Sequence, residues 1–167
     1  MRSKGATMHP LAAILAAALL AAAPAAAGPG APGHGHGAKG HADAAPYGEP
    51  GDPGKPARIV QIVMRDEMRF VPDRVTVRRG ENVRFVARNP GELRHEMVLG
   101  TMAELKEHAQ LMLRFPDMEH DDPNALTLPP KKSGELYWRF TNAGTFHLGC
   151  LVPGHLEQGM IATVVVR

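Results

Sequence analysis

The stretch Cys150-Leu-Val-Pro-Gly-His155-Leu-Glu-Gln-Gly-Met160 contains the only cysteine of the chain, with a histidine five residues after it and a methionine five residues later. A thiolate, an imidazole and a thioether are soft or borderline metal ligands. Magnesium and calcium ions prefer oxygen ligands, and zinc sites rarely include a thioether. Two histidines, one cysteine and a weakly bound methionine form the ligand set of a type 1 copper site. The stretch therefore predicts such a site, provided that a second histidine lies nearby.

The N-terminus has the pattern of a secretory signal peptide. Arg2 and Lys4 precede an Ala/Leu-rich run over residues 11–23, and small residues follow before Gly28. The run is too short and too rich in alanine to span a bilayer comfortably, and no later segment is apolar over a sufficient length. We therefore expect residues 1–27 to be removed on export. The mature protein would then work in the periplasm, without stable membrane insertion.

The mature chain is expected to carry no net charge. The sequence has 19 Lys and Arg against 17 Asp and Glu, and residues 1–27 contain two of the basic residues and none of the acidic ones, which leaves 17 against 17. A nucleic-acid-binding protein would carry a clustered basic excess, so this class is excluded. The single cysteine cannot form an internal disulfide after export. Either it is a buried inert residue or its thiolate is occupied, and its neighbours favour the second interpretation.

A Gly/Pro-rich segment follows the predicted signal peptide. Residues 28–56 contain nine glycines and six prolines in 29 positions and almost no large apolar side chains, which predicts a flexible, disordered tail. His34, His36 and His41 lie within it, and His-rich tracts of this kind bind metal loosely. The alternative is a solubilising linker that happens to contain histidines. We expect additional copper to bind at these three side chains.

The remaining residues, 57–167, have the pattern of an all-β domain. Short apolar or alternating segments separated by Gly, Pro and Asn predict strands at 59–64, 75–77, 82–88, 96–99, 136–140, 144–150 and 160–167. Such an order favours an antiparallel sandwich over a sheet with helical crossovers. A capping box at Thr101 and Glu104, followed by apolar residues at helical spacing, predicts one inserted helix around 102–113.

The second histidine of the metal site must come from a different strand. The candidates outside the C-terminal stretch are His95, His108, His120 and His147. His95 stands at the start of a predicted strand, directly after the turn at residues 89–94. His147 lies three residues before the cysteine on a predicted strand, so its side chain is expected on the opposite face, as a surface residue.

The order Asn89…His95, followed by Cys150-x₄-His155-x₄-Met160, resembles that of the cupredoxins, the plastocyanin/azurin-like type 1 blue-copper proteins. The long ligand loop is similar to that of rusticyanin- and auracyanin-like members. The resemblance is nearest to periplasmic copper-tolerance cupredoxins with a His-rich N-terminal tail. It implies a Greek-key β-sandwich that holds one type 1 copper ion.

The resemblance also assigns the ligands. His95, Cys150 and His155 would be the strong ligands, and Met160 the weak axial ligand that tunes the reduction potential. Plastocyanin-like members have asparagine directly after the first histidine, whereas this chain has Glu96. The backbone N–H at this position can still reach the thiolate, but the asparagine side chain that ties the ligand loops together in those members is replaced here by a glutamate.

An electron-exit surface and a second metal site are also predicted. The imidazole edge of His155 is the expected electron exit, surrounded by a small apolar patch suited to transient docking: Leu151, Val152, Pro153, His155 and Leu156. Met118 and His120 could form a second soft site for Cu(I), as could Met64 and Met68, although core packing is the simpler explanation for most methionines.

Three functions are compatible with these patterns. The first is periplasmic copper tolerance and homeostasis, which the His-rich tail favours, and the second is electron transport between respiratory partners. Both imply a monomer that meets redox partners or copper donors and acceptors transiently. The third is an enzyme, but we expect no catalytic activity from this chain alone. Copper oxidases carry electrons through histidines beside the cysteine, whereas Gly149 and Leu151 occupy these positions here.

Overall fold

The computed structural model describes residues 45–116 and 121–167, in which the chain forms strands and one helix. The elements are β1 (Glu49–Pro50), β2 (Arg58–Arg65), β3 (Arg69–Val71), β4 (Arg74–Val77), β5 (Asn82–Arg88), β6 (His95–Gly100), α1 (Met102–Arg114), β7 (Ala125–Leu128), β8 (Ser133–Arg139), β9 (Gly144–Gly149) and β10 (Ile161–Val166). One sheet has the order β1-β8-β5-β2-β3 and the other β4-β10-β9-β6-β7. The predicted all-β sandwich with one inserted helix is confirmed.

The core lies between the two sheets. Alternate residues of β2 and β5 point inward and are buried, among them Ile62, Met64 and Phe85, and they join Leu148 and Val164 of the other sheet in one apolar cluster. The sheets are mixed, because β2 pairs with β5 and β4 pairs with β10 in parallel. The chain crosses from one sheet to the other between these strands. Two neighbours in a sheet can therefore run in the same direction, which the sequence analysis did not predict.

Residues 45–56, which the sequence analysis assigns to the flexible tail, are part of the folded domain. Tyr47 is buried, and its carbonyl oxygen accepts a hydrogen bond from Trp138 Nε1 at 3.0 Å. The two rings lie 5.4 Å apart, and β1 pairs with β8 directly after this contact. The Tyr47 side chain thus anchors a segment whose Gly/Pro-rich composition alone predicts disorder. Residues 1–44, with the predicted signal peptide, His34, His36 and His41, lie outside the described residues.

The helix begins at the predicted capping box. Thr101 Oγ1 accepts a hydrogen bond from the Glu104 N–H at 3.3 Å, and Glu104 Oε2 accepts one from the Thr101 N–H at 2.8 Å. The buried face of α1, which includes Leu105, packs on Val98 of β6. Within the described parts of the chain, no helix combines the length and the apolar character needed to cross a membrane.

All six residues of β6 are buried, since this strand is covered on both sides. One face, with Met97 and Leu99, packs into the sandwich, and the other face, with Val98, packs under α1. The helix therefore isolates the strand that begins with His95 from solvent.

Candidate metal centre

The strand register places His95 next to the C-terminal stretch. Val98 of β6 pairs with Gly149, the last residue of β9. His95 precedes Val98 by three residues, so it lies beyond the end of β9, where the chain leaves the sheet. The loop at residues 150–160 connects β9 to the antiparallel β10 at this same end. The second histidine and the C-terminal stretch therefore meet at one edge of the sandwich.

Three buried side chains converge there. Ligand atoms of His95, Cys150 and His155 all lie within 4.8 Å of one another, and no other such group of His, Cys, Asp and Glu occurs in residues 45–116 and 121–167. Cys150 Sγ is 3.3 Å from His155 Nδ1 and 4.0 Å from His95 Nδ1. The two imidazole rings lie 5.2 Å apart at an angle of 54°. Each histidine thus turns Nδ1 toward the sulfur.

Backbone hydrogen bonds close the ligand loop. The Cys150 N–H donates to the Met160 carbonyl oxygen at 3.1 Å, and the Met160 N–H donates to the His155 carbonyl oxygen at 3.0 Å. Met160, the last residue of this loop, is fully buried. These bonds hold the positions of the cysteine, the second histidine and the methionine relative to one another, while the axial role of Met160 stays a prediction.

Burial controls the protonation of the site when no metal is bound. Desolvation raises the pKa of the Cys150 thiol to about 11, although the backbone N–H groups of Glu96 and Val152 oppose the shift. Desolvation, and then the nearby His95, lower the pKa of His155. A buried imidazole without charge and a buried thiol are the forms that a low-dielectric environment favours. The nitrogen of His155 is therefore free to act as a ligand near neutral pH.

A carboxylate that the sequence analysis missed contacts the site. Asp66 Oδ1 lies 3.0 Å from His95 Nε2, the ring nitrogen that faces away from the sulfur. Hydrogen bonds from the Glu92 backbone, and then from His95, lower the pKa of Asp66. Asp66 also borders an open groove of about 260 Å³ that Arg65 and Arg88 line. An acidic residue in a turn, 29 positions before its partner, gives no local signal in the sequence.

Comparison with known proteins identifies the fold and the family. A family model described as copper binding proteins, plastocyanin/azurin family, matches residues 58–167. The chain belongs to this family. It is 57% identical over 122 residues to the copper-resistant cuproprotein CopI of Rubrivivax gelatinosus, a match that covers 73% of this chain and 74% of that protein. The protein of the same name from Pseudomonas aeruginosa is 33% identical over 150 residues, with 72% and 82% covered.

Solved structures show the same cupredoxin fold. Auracyanin B superposes with a TM-score of 0.60 at 24% sequence identity, over 72% of this chain and 96% of that chain. Auracyanin A from Chloroflexus aurantiacus superposes with a TM-score of 0.58 at 23% identity, over 67% of this chain and 100% of that chain. The predicted resemblance to the cupredoxins is confirmed.

The residues of the site fit copper. A cysteine sulfur and two histidine nitrogens are the strong ligands of a type 1 copper site, and here all three are buried with their ligand atoms within 4.8 Å of one another. The Glu96 backbone N–H donates to the sulfur at 3.3 Å, as expected, and such a bond stabilises a thiolate. The cupredoxin therefore binds one copper ion, and His95, Cys150 and His155 are the residues placed to hold it.

The side chain of Glu96 does not bridge the two ligand loops. It is buried, and its Oε1 accepts a hydrogen bond from Thr127 Oγ1 of β7 at 3.3 Å. The loop before His95 is fastened instead by Asn89, whose Nδ2 donates to the carbonyl oxygens of Leu93 at 2.7 Å and Leu128 at 3.0 Å. Asn89, six residues before His95, thus braces the loop that precedes this histidine.

The other histidine candidates lie away from the group or outside the described residues. His108 is on α1. His147 is half-buried on β9, where desolvation lowers its pKa and its Nδ1 has no hydrogen-bond partner within the described part of the chain. Met64 is fully buried in the core, as expected for a packing residue. Met118 and His120 lie at residues 117–120, which the structure does not describe.

The apolar patch around His155 is smaller than predicted. Leu151 and Leu156 are only 1% and 7% exposed, because they pack with Leu105 of α1. Burial under the helix removes both leucines from the predicted docking surface, and Val152 and Pro153 remain partly exposed. His155 itself is 8% exposed, whereas His95 and Cys150 are fully buried.

Proposed function

We propose that this cupredoxin is an exported copper-tolerance protein that holds copper in the periplasm and cycles it between Cu(I) and Cu(II). The observation that carries the proposal is the buried group of His95, Cys150 and His155, in a chain 57% identical to a protein named a copper-resistant cuproprotein. The predicted signal peptide and the three histidines of the predicted tail support export and copper handling.

The chain supplies a fixed ligand set. His95 begins the buried strand β6, Cys150 directly follows β9, and backbone hydrogen bonds hold the loop that carries His155. A ligand set held between the geometries that Cu(I) and Cu(II) prefer limits the rearrangement on electron transfer. Copper, when bound, supplies the one-electron redox couple.

An electron carrier between respiratory partners is the second candidate. His155 is the most exposed of the three ligand residues, which supports an electron exit at its imidazole edge. The burial of Leu151 and Leu156 leaves less apolar surface for a redox partner, and this favours copper handling over a dedicated carrier role. We propose no catalytic activity for this chain alone, since Gly149 and Leu151 flank the cysteine.

A spectrum and a growth assay test the proposal. Addition of Cu(II) to the purified protein should produce an intense thiolate-to-copper absorption band, which Cys150→Ser should abolish and His147→Ala should retain. A strain that lacks this protein should regain growth in excess copper when it receives the wild type, but not when it receives Cys150→Ser.

The same strain separates the two candidate functions. Simultaneous replacement of His34, His36 and His41 by alanine should reduce tolerance in part, because the copper centre itself is retained. Full tolerance with Cys150→Ser, together with a loss of respiration, would instead favour the electron carrier. A band that survives in Cys150→Ser would overturn the copper assignment itself.

A further inference from the structure

The carboxylate of Asp66 reaches the ligand His95 from the opposite sheet. Asp66 directly follows β2, in the turn to β3, whereas His95 begins β6. Asp66 Oδ1 and His95 Nε2 are 3.0 Å apart, and the histidine side chain is fully buried while the aspartate side chain is 33% exposed. This contact ties the copper ligand to a part of the chain outside both ligand loops.

The loop before His95 is built around this carboxylate. The Glu92 N–H donates to Asp66 Oδ2 at 2.7 Å, and the Leu93 N–H donates a longer bond to Oδ1 at 3.4 Å. A Cβ atom at Gly91 would lie 2.0 Å from Oδ1, so only glycine allows this approach. The carboxylate is therefore fixed in orientation by groups other than the imidazole that it contacts.

The contact determines which nitrogen of His95 is available as a ligand. A neutral imidazole has one N–H donor and one nitrogen with a lone pair. A carboxylate accepts hydrogen bonds only, so Nε2 carries the proton and Nδ1, which is 4.0 Å from Cys150 Sγ, keeps its lone pair. Histidine ligands that donate their second N–H to a carboxylate are held in orientation and become more basic.

We propose that Asp66 is a positioning residue for the copper centre, which orients His95, strengthens its Nδ1 as a donor and thereby lowers the reduction potential. A stronger nitrogen donor with a negative charge behind it stabilises Cu(II) more than Cu(I). The inference rests on the redox role proposed above. A merely structural role, in which Asp66 only fastens residues 91–93, would leave the potential unchanged.

The first test is the reduction potential of Asp66→Asn, with Glu67→Gln as the matched control. Glu67 is the next residue of the same turn and is exposed, so its variant removes an equal charge without the contact to His95. Asp66→Asn should weaken Cu(II) binding relative to Cu(I) by about 10- to 100-fold, which raises the potential by about 60 to 120 mV at about 59 mV per tenfold change. Glu67→Gln should stay close to the wild type.

The second test uses the copper-free protein. Nitrogen-15 NMR at pH 8 should show His95 protonated at Nε2 in the wild type and in Glu67→Gln, and a mixture of tautomers in Asp66→Asn and Asp66→Ala. A wild-type potential in Asp66→Asn, together with an unchanged tautomer, would overturn the inference. A wild type that gives no thiolate band, or no reversible reduction, would refute the proposed function instead, so the two failures are distinguishable.

Discussion

The backbone N–H of Glu96 donates a hydrogen bond to Cys150 Sγ across 3.3 Å, and it joins the second residue of β6 to the residue that follows β9. This bond and the backbone N–H of Val152 favour a thiolate, yet burial raises the pKa of the thiol to about 11. Loss of hydration therefore outweighs both contacts while no cation is present. Without copper, Cys150 is therefore a protonated thiol at neutral pH, although hydrogen-bond donors that would stabilise a thiolate already face its sulfur.

Copper binding should consequently release the proton of Cys150. Because the pKa of the thiol lies near 11 and that of His155 is lowered, Cu(II) displaces about one proton between pH 7 and pH 9, and its apparent affinity should rise about tenfold per pH unit in this range. Proton release in a weakly buffered titration measures the effect. Cys150→Ser is the control, and equal proton release by both proteins would contradict the prediction.

Removal of the Asn89 side chain should destabilise the copper-free protein. The Asn89 side chain is fully buried. Its Nδ2 donates to the carbonyl oxygens of Leu93 and Leu128, and its Oδ1 accepts from the Gly91 N–H at 3.0 Å. Asn89→Ala leaves these groups unsatisfied, and we expect a loss of about 2 to 3 kcal/mol in the free energy of unfolding. Denaturant titration gives the value.

The matched control for Asn89 is Asn142→Ala. Asn142 is exposed and donates one hydrogen bond, to the Pro46 carbonyl oxygen at 3.2 Å. Its replacement should change the free energy of unfolding by less than about 0.5 kcal/mol. Similar losses in both variants would show that Asn89 does not brace the loop before His95.

The contact between α1 and the ligand loop can be tested at Leu105. This side chain is 1% exposed and belongs to the same apolar cluster as Leu151 and Leu156. Leu105→Ala should cost about 2 to 4 kcal/mol of stability and should speed the loss of copper to a chelator, because the loop is then less well supported. Leu111→Ala, at an exposed position of the same helix, should change neither measurement appreciably. Equal rates of copper loss would contradict a supporting role for the helix.

Much of the fold could be predicted because its signals are local. The alternation of β5 and the capping box of α1 are visible within seven or fewer residues, and the structure places both as expected. β1, β3 and β7 were missed because each has at most four residues and contains or adjoins a proline. β1 depends on Tyr47 packing against Trp138, 91 positions later, and no local pattern contains such a contact.

For the metal site, too, the residues that share a local pattern could be predicted, whereas contacts between distant parts of the chain could not. Cys150 and His155 share one loop, and the resemblance to the cupredoxins selects His95 among the other histidines, so the structure brings together the residues expected. Asp66 could not be found in this way, since its role depends on the distance between two sheets. The burial of Leu156 could not be found either, because it depends on where α1 packs after it leaves β6.

Met160 offers the sharpest test of the ligand set. It is the fully buried last residue of the ligand loop, and Met160→Leu replaces a thioether by an apolar group of similar volume. Loss of a weak sulfur donor disfavours Cu(II), so the reduction potential should rise while the thiolate-to-copper band persists. Met64→Leu is the matched control, because Met64 is equally buried but lies on β2 in the core between the sheets. Spectroelectrochemical titration of both variants measures the potentials. If Met160→Leu and Met64→Leu have the same potential as the wild type, Met160 fills space beside the copper centre and is not a ligand.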